Sequence, residues 1–267
     1  LELWNDLYEH HQANGEYYFL SSPVLFEMER VSRRINQRDY RQEKHGVVDG
    51  QQRTITVIAL AAAFRQIAHI LGHHELFRDA DGLCRWRINH ANYVNRVTTS
   101  IEADNQVLGE LISWDVDHQK NLDYGRTAQN HRIKKSFSFF RDIIWREFII
   151  NHSEQYELTD AVIENGIDEY QIGEVLSEEI HASLTDFYES IFSRCYVTKV
   201  LAGTEVTAIQ VFMTLNTRGK DLTQSDLIKS SFYKRFVDLD IHRLDEFKAL
   251  WNTFSNQIES SKLSTIC

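Results

Sequence analysis

The chain has 267 residues, 42% of them hydrophobic and 25% charged, with a formal net charge of −10. This is an ordinary globular composition with material for a large core, and its acidic balance excludes a protein that coats nucleic acid indiscriminately, though not one with a local basic groove. Apolar runs fall short of the roughly 20 residues of a membrane helix, and Cys84, Cys195 and Cys267 stand too far apart for a metal or redox motif; both point to a cytoplasmic protein with reduced thiols and no membrane partner. With Pro23 as the single proline and no Gly/Ser-rich spacer, any domain boundary is a packed interface. The chain opens at Leu1 with neither an initiator Met nor a signal peptide and reads as a piece of a longer protein.

Residues 1–12 place Trp4, Leu7, Tyr8 and His11 at helical spacing, which predicts an amphipathic helix ended by Asn14-Gly15. Tyr17 to Met28 is rich in aromatic and β-branched residues and predicts one or two strands around Ser21-Ser22-Pro23. From Arg30 to Lys44 runs a charged stretch that includes Arg33, Arg34 and Arg38, with Tyr40 among them. A solvated hairpin loop explains it; so does a finger whose arginines reach a nucleic-acid backbone.

His45-Gly46-Val47-Val48-Asp49-Gly50-Gln51-Gln52-Arg53 follows. Gly46 to Val48 read as a short buried strand and Asp49-Gly50 as a sharp turn. From Gln51 the chain is apolar on nearly every side, with no Gly or Pro before Gly72, which predicts a buried helix. A strand, a glycine turn and a helix N-terminus make a natural anion site, because N–H groups without helical partners and the positive end of the dipole converge there. Arg53 puts a cation at that positive end, which costs roughly 0.3–1 kcal/mol unless an anion lies opposite. The same residues also fit a capping box, Asp49 with Gln52 three residues on, with Arg53 pointing to solvent. Pattern alone leaves both readings open.

His73-His74-Glu75 has metal-ligating residue types, but neighbours on a helix point roughly 100° apart and do not readily share an ion. They follow Gly72, a C-cap position where His suits the dipole. Asn89-His90 lacks the partners of an HNH nuclease, and Cys84 to Ile88 reads as a strand. From about residue 100 the pattern is helical. Ile133, Phe137, Phe140, Ile144 and Phe148 form one core stripe; Ile180, Leu184, Phe187, Tyr188 and Ile191 form a second; Leu244, Phe247, Leu250, Trp251, Phe254 and Ile258 form a third. Arg126, Arg132, Lys134 and Lys135 make a basic cluster, either a solvated helix face or a DNA contact. Cys195 to Ala202 reads as a strand and Thr204 to Leu215 as a helix. Asn216-Thr217-Arg218-Gly219-Lys220-Asp221-Leu222 then reads as a loop, with Gly219 in a left-handed turn, before a helix capped by Thr223 and Asp226.

Val47 to Arg53 resembles the signature of the N-terminal domain of GmrSD-type restriction proteins, a bacterial family with a ParB/sulfiredoxin-like fold that includes the SspE proteins. Other stretches agree with it in order. Tyr18-Phe19-Leu20-Ser21-Ser22 resembles the family's YFLGS strand, with Ser21 in place of the glycine, and Asn130 to Phe140 resembles a family helix, with Phe137 in place of the usual Tyr. Phe212 to Leu227 follows the family's F-x-x-L-N-x-R-G-x-x-L-x-x-x-D-L. The resemblance runs from Leu3 to about Lys234.

It implies an α+β fold: a small ParB-like mixed sheet with its signature helix in residues 1–110, then a mainly helical part in residues 111–267 that carries the second motif. It also implies binding and hydrolysis of GTP, ATP or CTP with Mg²⁺, coupled to sensing modified or foreign DNA in anti-phage restriction. Gly50 and the amides after it would then cradle phosphates, with Arg53 on the terminal phosphate. Asp49 would position Mg²⁺ or the attacking water, and Gln51 or Gln52 would orient that water. Asn216, Arg218, Gly219 and Lys220 would add nucleotide contacts, and Arg33, Arg34, Arg38, Arg132, Lys134 and Lys135 would contact DNA. The family's Tyr-Gln-Arg motif would stand upstream of Leu1 and its HNH nuclease domain beyond Cys267, so the partners are nucleotide, DNA and that nuclease domain. A homo-oligomer is compatible with this, and no DNA cleavage is expected from this part of the protein. Two other readings stand beside it: a ParB-like nucleotide-gated DNA-binding module that does not hydrolyse, and a scaffold for the nuclease in which Asp49 and Gln52 only cap a helix.

Overall fold

The computed structural model describes residues 2–28, 31–35, 38–87, 93–99, 101–113, 131–151, 157–167 and 174–219. The expectations for Arg30, Asn89-His90, Arg126, and Lys220 and everything after it, including the stripe at 244–258, lie outside these residues. In chain order the elements are α1 (Glu2–Gln12), β1 (Tyr18–Ser21), β2 (Val24–Glu27), β3 (Val31–Ile35), β4 (Arg38–Gln42), β5 (His45–Asp49), α2 (Gln51–Ile70) and α3 (His74–Cys84). Then come β6 (Arg85–Arg87), β7 (Tyr93–Asn95), α4 (Glu102–Ser113), α5 (Arg132–Trp145) with a π-helical turn (Arg146–Ile150), α6 (Asp160–Asn165), α7 (Glu174–Phe192), β8 (Cys195–Val197), β9 (Val200–Ala202) and α8 (Glu205–Gly219). The fold is α+β: helices predominate and the sheets are small.

The chain divides into two compact units that alternate along it. One comprises Leu1–Ser21 with Gly50–Thr198, the other Ser22–Asp49 with Lys199–Cys267. The chain therefore passes between them at Ser21-Ser22, Asp49-Gly50 and Thr198-Lys199.

The first unit is built on α2. From Ile58 to Leu71 every residue but His69 is buried. Ala59, Ala61, Ala62, Ala63 and Ala68 keep this helix slim, so α3 and α5 can pack directly against it. Two of its buried residues are polar, Arg65 and Gln66, where the sequence pattern suggested a helix apolar on nearly every side. Both aromatic stripes that fall within the described residues face this core: Ile133, Phe137, Phe140, Ile144 and Phe148 from α5 and the π turn, and Ile180, Leu184, Phe187, Tyr188 and Ile191 from α7. Phe187 is the hub. It stacks on Phe148 at 4.7 Å and meets Trp4 of α1 edge-on at 5.3 Å and Phe64 of α2 at 5.7 Å. As the spacing of Trp4 and Leu7 predicts, α1 docks by that face; it ends at Gln12, and Asn14, with a positive φ of 50°, turns the chain toward β1.

The second unit has a three-stranded sheet in the order β5-β2-β9, with β2 antiparallel to β5 and parallel to β9. Val24, Ala202 and Ala208 of α8 are its buried centre. Gly46 of β5 lies opposite Phe26 of β2, whose ring occupies the space a Cβ at position 46 would need.

One expectation is corrected here. Cys195 to Ala202 is not one strand but two, β8 and β9, separated at Thr198-Lys199. In the first unit β8 pairs in parallel with β1, and in the second β9 pairs in parallel with β2. The break matches the one at Ser22-Pro23 on the partner strands, where the Ser21 and Pro23 carbonyls accept from Thr198 and Val200.

Candidate functional site at the start of the signature helix

The strand–turn–helix expected at the signature is present. Asp49 is the last residue of β5, paired with Val24. The strand is half-buried along its length rather than buried; among the described residues it is an edge strand, paired with β2 on one side. Gly50 follows with φ 87° and ψ 7°, the left-handed region that favours glycine, and is the N-cap of α2. Asp49 therefore does not occupy the N-cap position that a capping box requires, because it still belongs to the β5 ladder.

The helical ladder of α2 begins with the Thr54 N–H donating to the Gly50 carbonyl at 2.9 Å, and the Thr54 hydroxyl donates to the same oxygen at 2.9 Å. Upstream of that bond, the amides of Gln52 and Arg53 have no acceptor within the helix. Gln51, Gln52 and Arg53 are exposed, and the first turn holds no acidic residue. Arg53 is near enough to Tyr18 of β1 for its charge to favour the phenolate. Burial and a hydrogen bond donated to Asp6 at 3.0 Å outweigh this and push the Tyr18 pKa up. Sequence reasoning did not single out Tyr18 as a neighbour of Arg53, since the two belong to distant stretches.

The second motif departs from expectation. Asn216, Thr217, Arg218 and Gly219 are not in a loop; α8 continues through them to Gly219. The helix starts cleanly, with Thr204 Oγ1 accepting from the Thr207 amide at 3.2 Å. No proline and no strong breaker before Gly219 stops it at Leu215. A helix C-terminus presents carbonyls rather than amides, so any phosphate contact from this segment must come through side chains.

Of the other sequence candidates, Arg33, Arg34 and Arg38 fall on the β3–β4 hairpin, in registers Arg33↔Tyr40, Arg34↔Asp39 and Ile35↔Arg38. Arg132, Lys134 and Lys135 stand in the first turn of α5, where Arg132 and Lys135 are exposed and Lys134 is half-buried. The N-cap of α5 is His131, whose Nδ1 accepts from the Ile133 amide while Nε2 bonds Asp104 at 2.8 Å.

Gly72, with φ 68°, ends α2 as its sequence suggests. The His73 amide reaches the Ala68 carbonyl and the Gly72 amide reaches that of His69, a Schellman arrangement. His73 is engaged by α7 rather than by its neighbour His74. It stacks at 4.4 Å on His181 of α7 and bonds Thr185 Oγ1 at 2.9 Å, while His181 Nε2 meets the Leu71 carbonyl at 3.2 Å. Burial and the neighbouring His181 hold the His73 pKa below its ordinary value. Sequence gave one usable signal for this joint, His181 and Thr185 one turn apart on α7. Among the described residues no group of three or more His, Cys, Asp or Glu could hold a metal ion. Nor is any helix among them long and apolar enough to cross a membrane.

No curated protein matches this chain. A family model does: the GmrSD restriction endonuclease, N-terminal domain, aligns with residues 1–233. That span takes in the signature turn, the arginine hairpin and the second motif, and the chain belongs to the GmrSD restriction endonuclease N-terminal domain family.

Proposed function

We propose that the chain binds a nucleoside triphosphate at the start of α2 and hydrolyses it, in a step coupled to DNA recognition by the restriction protein of which it is the N-terminal domain. The observation that carries this reading is the first turn of α2. A left-handed glycine leads into a helix whose first turn holds amides without helical acceptors, an arginine and no acidic side chain. An anion there satisfies the amides and removes the cost of Arg53 at the positive dipole end.

In this mechanism Gly50 and the following amides bind phosphate oxygens, and Arg53 stabilises the charge that develops on the terminal phosphoryl group. The side-chain amide of Gln51 or Gln52 orients the attacking water. Asp49 offers one carboxylate, which fits Mg²⁺, an ion that takes one or two carboxylates alongside phosphate oxygens and waters; when bound, Mg²⁺ neutralises phosphate charge. Asn216, Arg218, Gly219 and Lys220 form a second nucleotide-binding element of the proposal, resting on the family resemblance.

The test is thermal shift and phosphate release with GTP, ATP and CTP plus Mg²⁺, for the parent, Asp49→Ala and Arg53→Ala. Nucleotide is expected to raise the parent's melting temperature, and release is expected to disappear in both variants. Turnover at the parent rate in either variant removes the signature from the mechanism. A shift without release identifies a nucleotide-gated binding module instead, and neither signal in the full-length protein overturns the nucleotide reading altogether.

A further inference from the structure

The β6–β7 hairpin lies in a stretch whose charge runs against that of the chain. Between Asp81 and Glu102 no residue is acidic while Arg85, Arg87 and Arg96 are basic, in a protein of net charge −10. Trp86 stands opposite Val94, with Arg85 opposite Asn95 and Arg87 opposite Tyr93. Opposite residues share a face and successive residues alternate, so Trp86 and Val94 belong to one face and Arg85 and Tyr93 to the other. The Arg96 amide continues the ladder by donating to the Cys84 carbonyl at 3.0 Å. Arg96 is two residues on from Val94 and so falls on the Trp86 side.

Each face holds an arginine–aromatic pair, and the two differ in what surrounds the cation. On the inner face Arg85 lies 3.9 Å over the Tyr93 ring, is 7% exposed and has Asp81 as its counter-ion. On the outer face Trp86 is 40% exposed and Arg96 is exposed. The Arg96 guanidinium stands 6.0 Å from the Trp86 ring centroid, the outer limit of a cation–π contact, and the ring stays open to solvent. Arg96 Nε donates to the Gly82 carbonyl in the last turn of α3 at 2.6 Å, which fixes the group. Among the described residues no carboxylate pairs with Arg96 and its Nη groups have no acceptor.

We infer that the Trp86–Arg96 face binds single-stranded DNA, the indole stacking on an unpaired base and the Arg96 Nη groups holding a neighbouring phosphate. The assignment rests on the DNA-recognition part of the function proposed above. A lone exposed tryptophan needs no ligand to explain it; its pairing with an anchored cation that lacks a counter-ion is what calls for one. A single strand supplies both partners, open base faces for the indole and phosphates for the arginine. In a duplex the base faces are covered by their neighbours, and the indole gains a partner only at the cost of unstacking a step. An acidic peptide would meet the cation and leave the indole unused.

The experiment measures fluorescence anisotropy of a labelled oligothymidylate, its abasic counterpart and a duplex with the full-length protein, across about 50 to 200 mM salt. The variants are Trp86→Ala, Trp86→Phe, Arg96→Gln and, as an exposed aromatic on another strand, Tyr17→Ala; circular dichroism checks the folding of each. Trp86→Ala should weaken binding of the single strand about fivefold or more, Trp86→Phe less, and abasic-strand binding should change by less than about twofold. Arg96→Gln should flatten the slope of log K against log salt by about 0.7, the loss of one phosphate contact on a single strand. Tyr17→Ala should match the parent. A parent that binds the single strand while folded Trp86→Ala binds it equally well overturns the assignment. So does an equal loss on the abasic strand or in Tyr17→Ala, or an unchanged salt slope in Arg96→Gln. A parent that binds duplex but no single strand also overturns it and leaves the DNA reading standing, whereas one that binds neither overturns both. Displacement of the single strand by polyglutamate as readily as by unlabelled oligothymidylate would mark an acidic-peptide surface and overturns the assignment too.

Discussion

Asp81→Asn is the substitution whose cost the structure defines most directly. Arg65 of α2 and Arg85 of β6 each donate Nε to the same Asp81 oxygen at 2.6 Å. The two arginines are 1% and 7% exposed and Asp81 17%. Their guanidinium groups also lie over rings, Arg65 at 4.7 Å from the Phe77 centroid and Arg85 at 3.9 Å from that of Tyr93. Asparagine keeps the shape but removes the charge that both cations share. Breaking a buried ion pair by removing one partner costs about 3–5 kcal/mol, and the solvent access Asp81 retains places this case near the lower end, about 3 kcal/mol. For a unit of this size that corresponds to a fall in Tm of roughly 6–12 °C. Thermal and urea unfolding of the parent, Asp81→Asn, Arg65→Met and the double variant measure it. The double variant should lose less than the sum of the singles, because removing one cation relieves the repulsion left by the missing carboxylate. A loss below about 0.5 kcal/mol, the level of an ordinary surface change, would refute the view that this triad anchors α2. Nucleotide turnover per folded molecule should survive, since Arg65 lies about three turns from Arg53.

Other expectations follow from the same geometry. Gly50→Val places a β-branched residue at φ 87° and should destabilise by roughly 1–2 kcal/mol, whereas Asn, which tolerates the left-handed region, should cost less; equal melting temperatures for the two variants would contradict the turn. Burial, with His181 beside it, holds the His73 pKa below 6.5. The folded state thus keeps His73 neutral where the unfolded chain takes up a proton, so stability is full above about pH 6.5 and falls as pH drops below it. His11, its pKa also lowered chiefly by burial, adds to this in the same direction. The groups acting on His73 are His181, Glu75 and His74, and His73→Gln should flatten part of the acid limb in a pH series of unfolding midpoints; an unchanged limb would remove His73 as its source.

Local spacing was enough to read several of the elements. Trp4 and Leu7 marked the face of the first helix, and Phe137, Phe140, Ile144, Leu184 and Phe187 marked stripes that do reach the core. Gly50 and Gly72 marked turns that only a residue tolerant of positive φ accommodates cheaply. These features are legible because side-chain periodicity and backbone sterics act within a few residues. The signature was legible in the same way, as a strand, a glycine and a helix start in immediate succession.

What pairs across the chain was decided by tertiary structure. The spacing within α2 does not show that Arg65 is buried against Asp81, nor that His73 stacks on His181 of α7. The stretch from Cys195 to Ala202 reads as continuous because its break is set by strands β1 and β2, far away in sequence. The extension of α8 through Gly219 was hidden by a motif whose Asn, Thr and Gly imitate a loop. The sequence by itself determined the turns at Gly50 and Gly72 and which helix faces are apolar, since both depend on nearest neighbours. The choice of partner strand, counter-ion and ring was left to the fold, because such contacts are made between residues that only the packed core brings together.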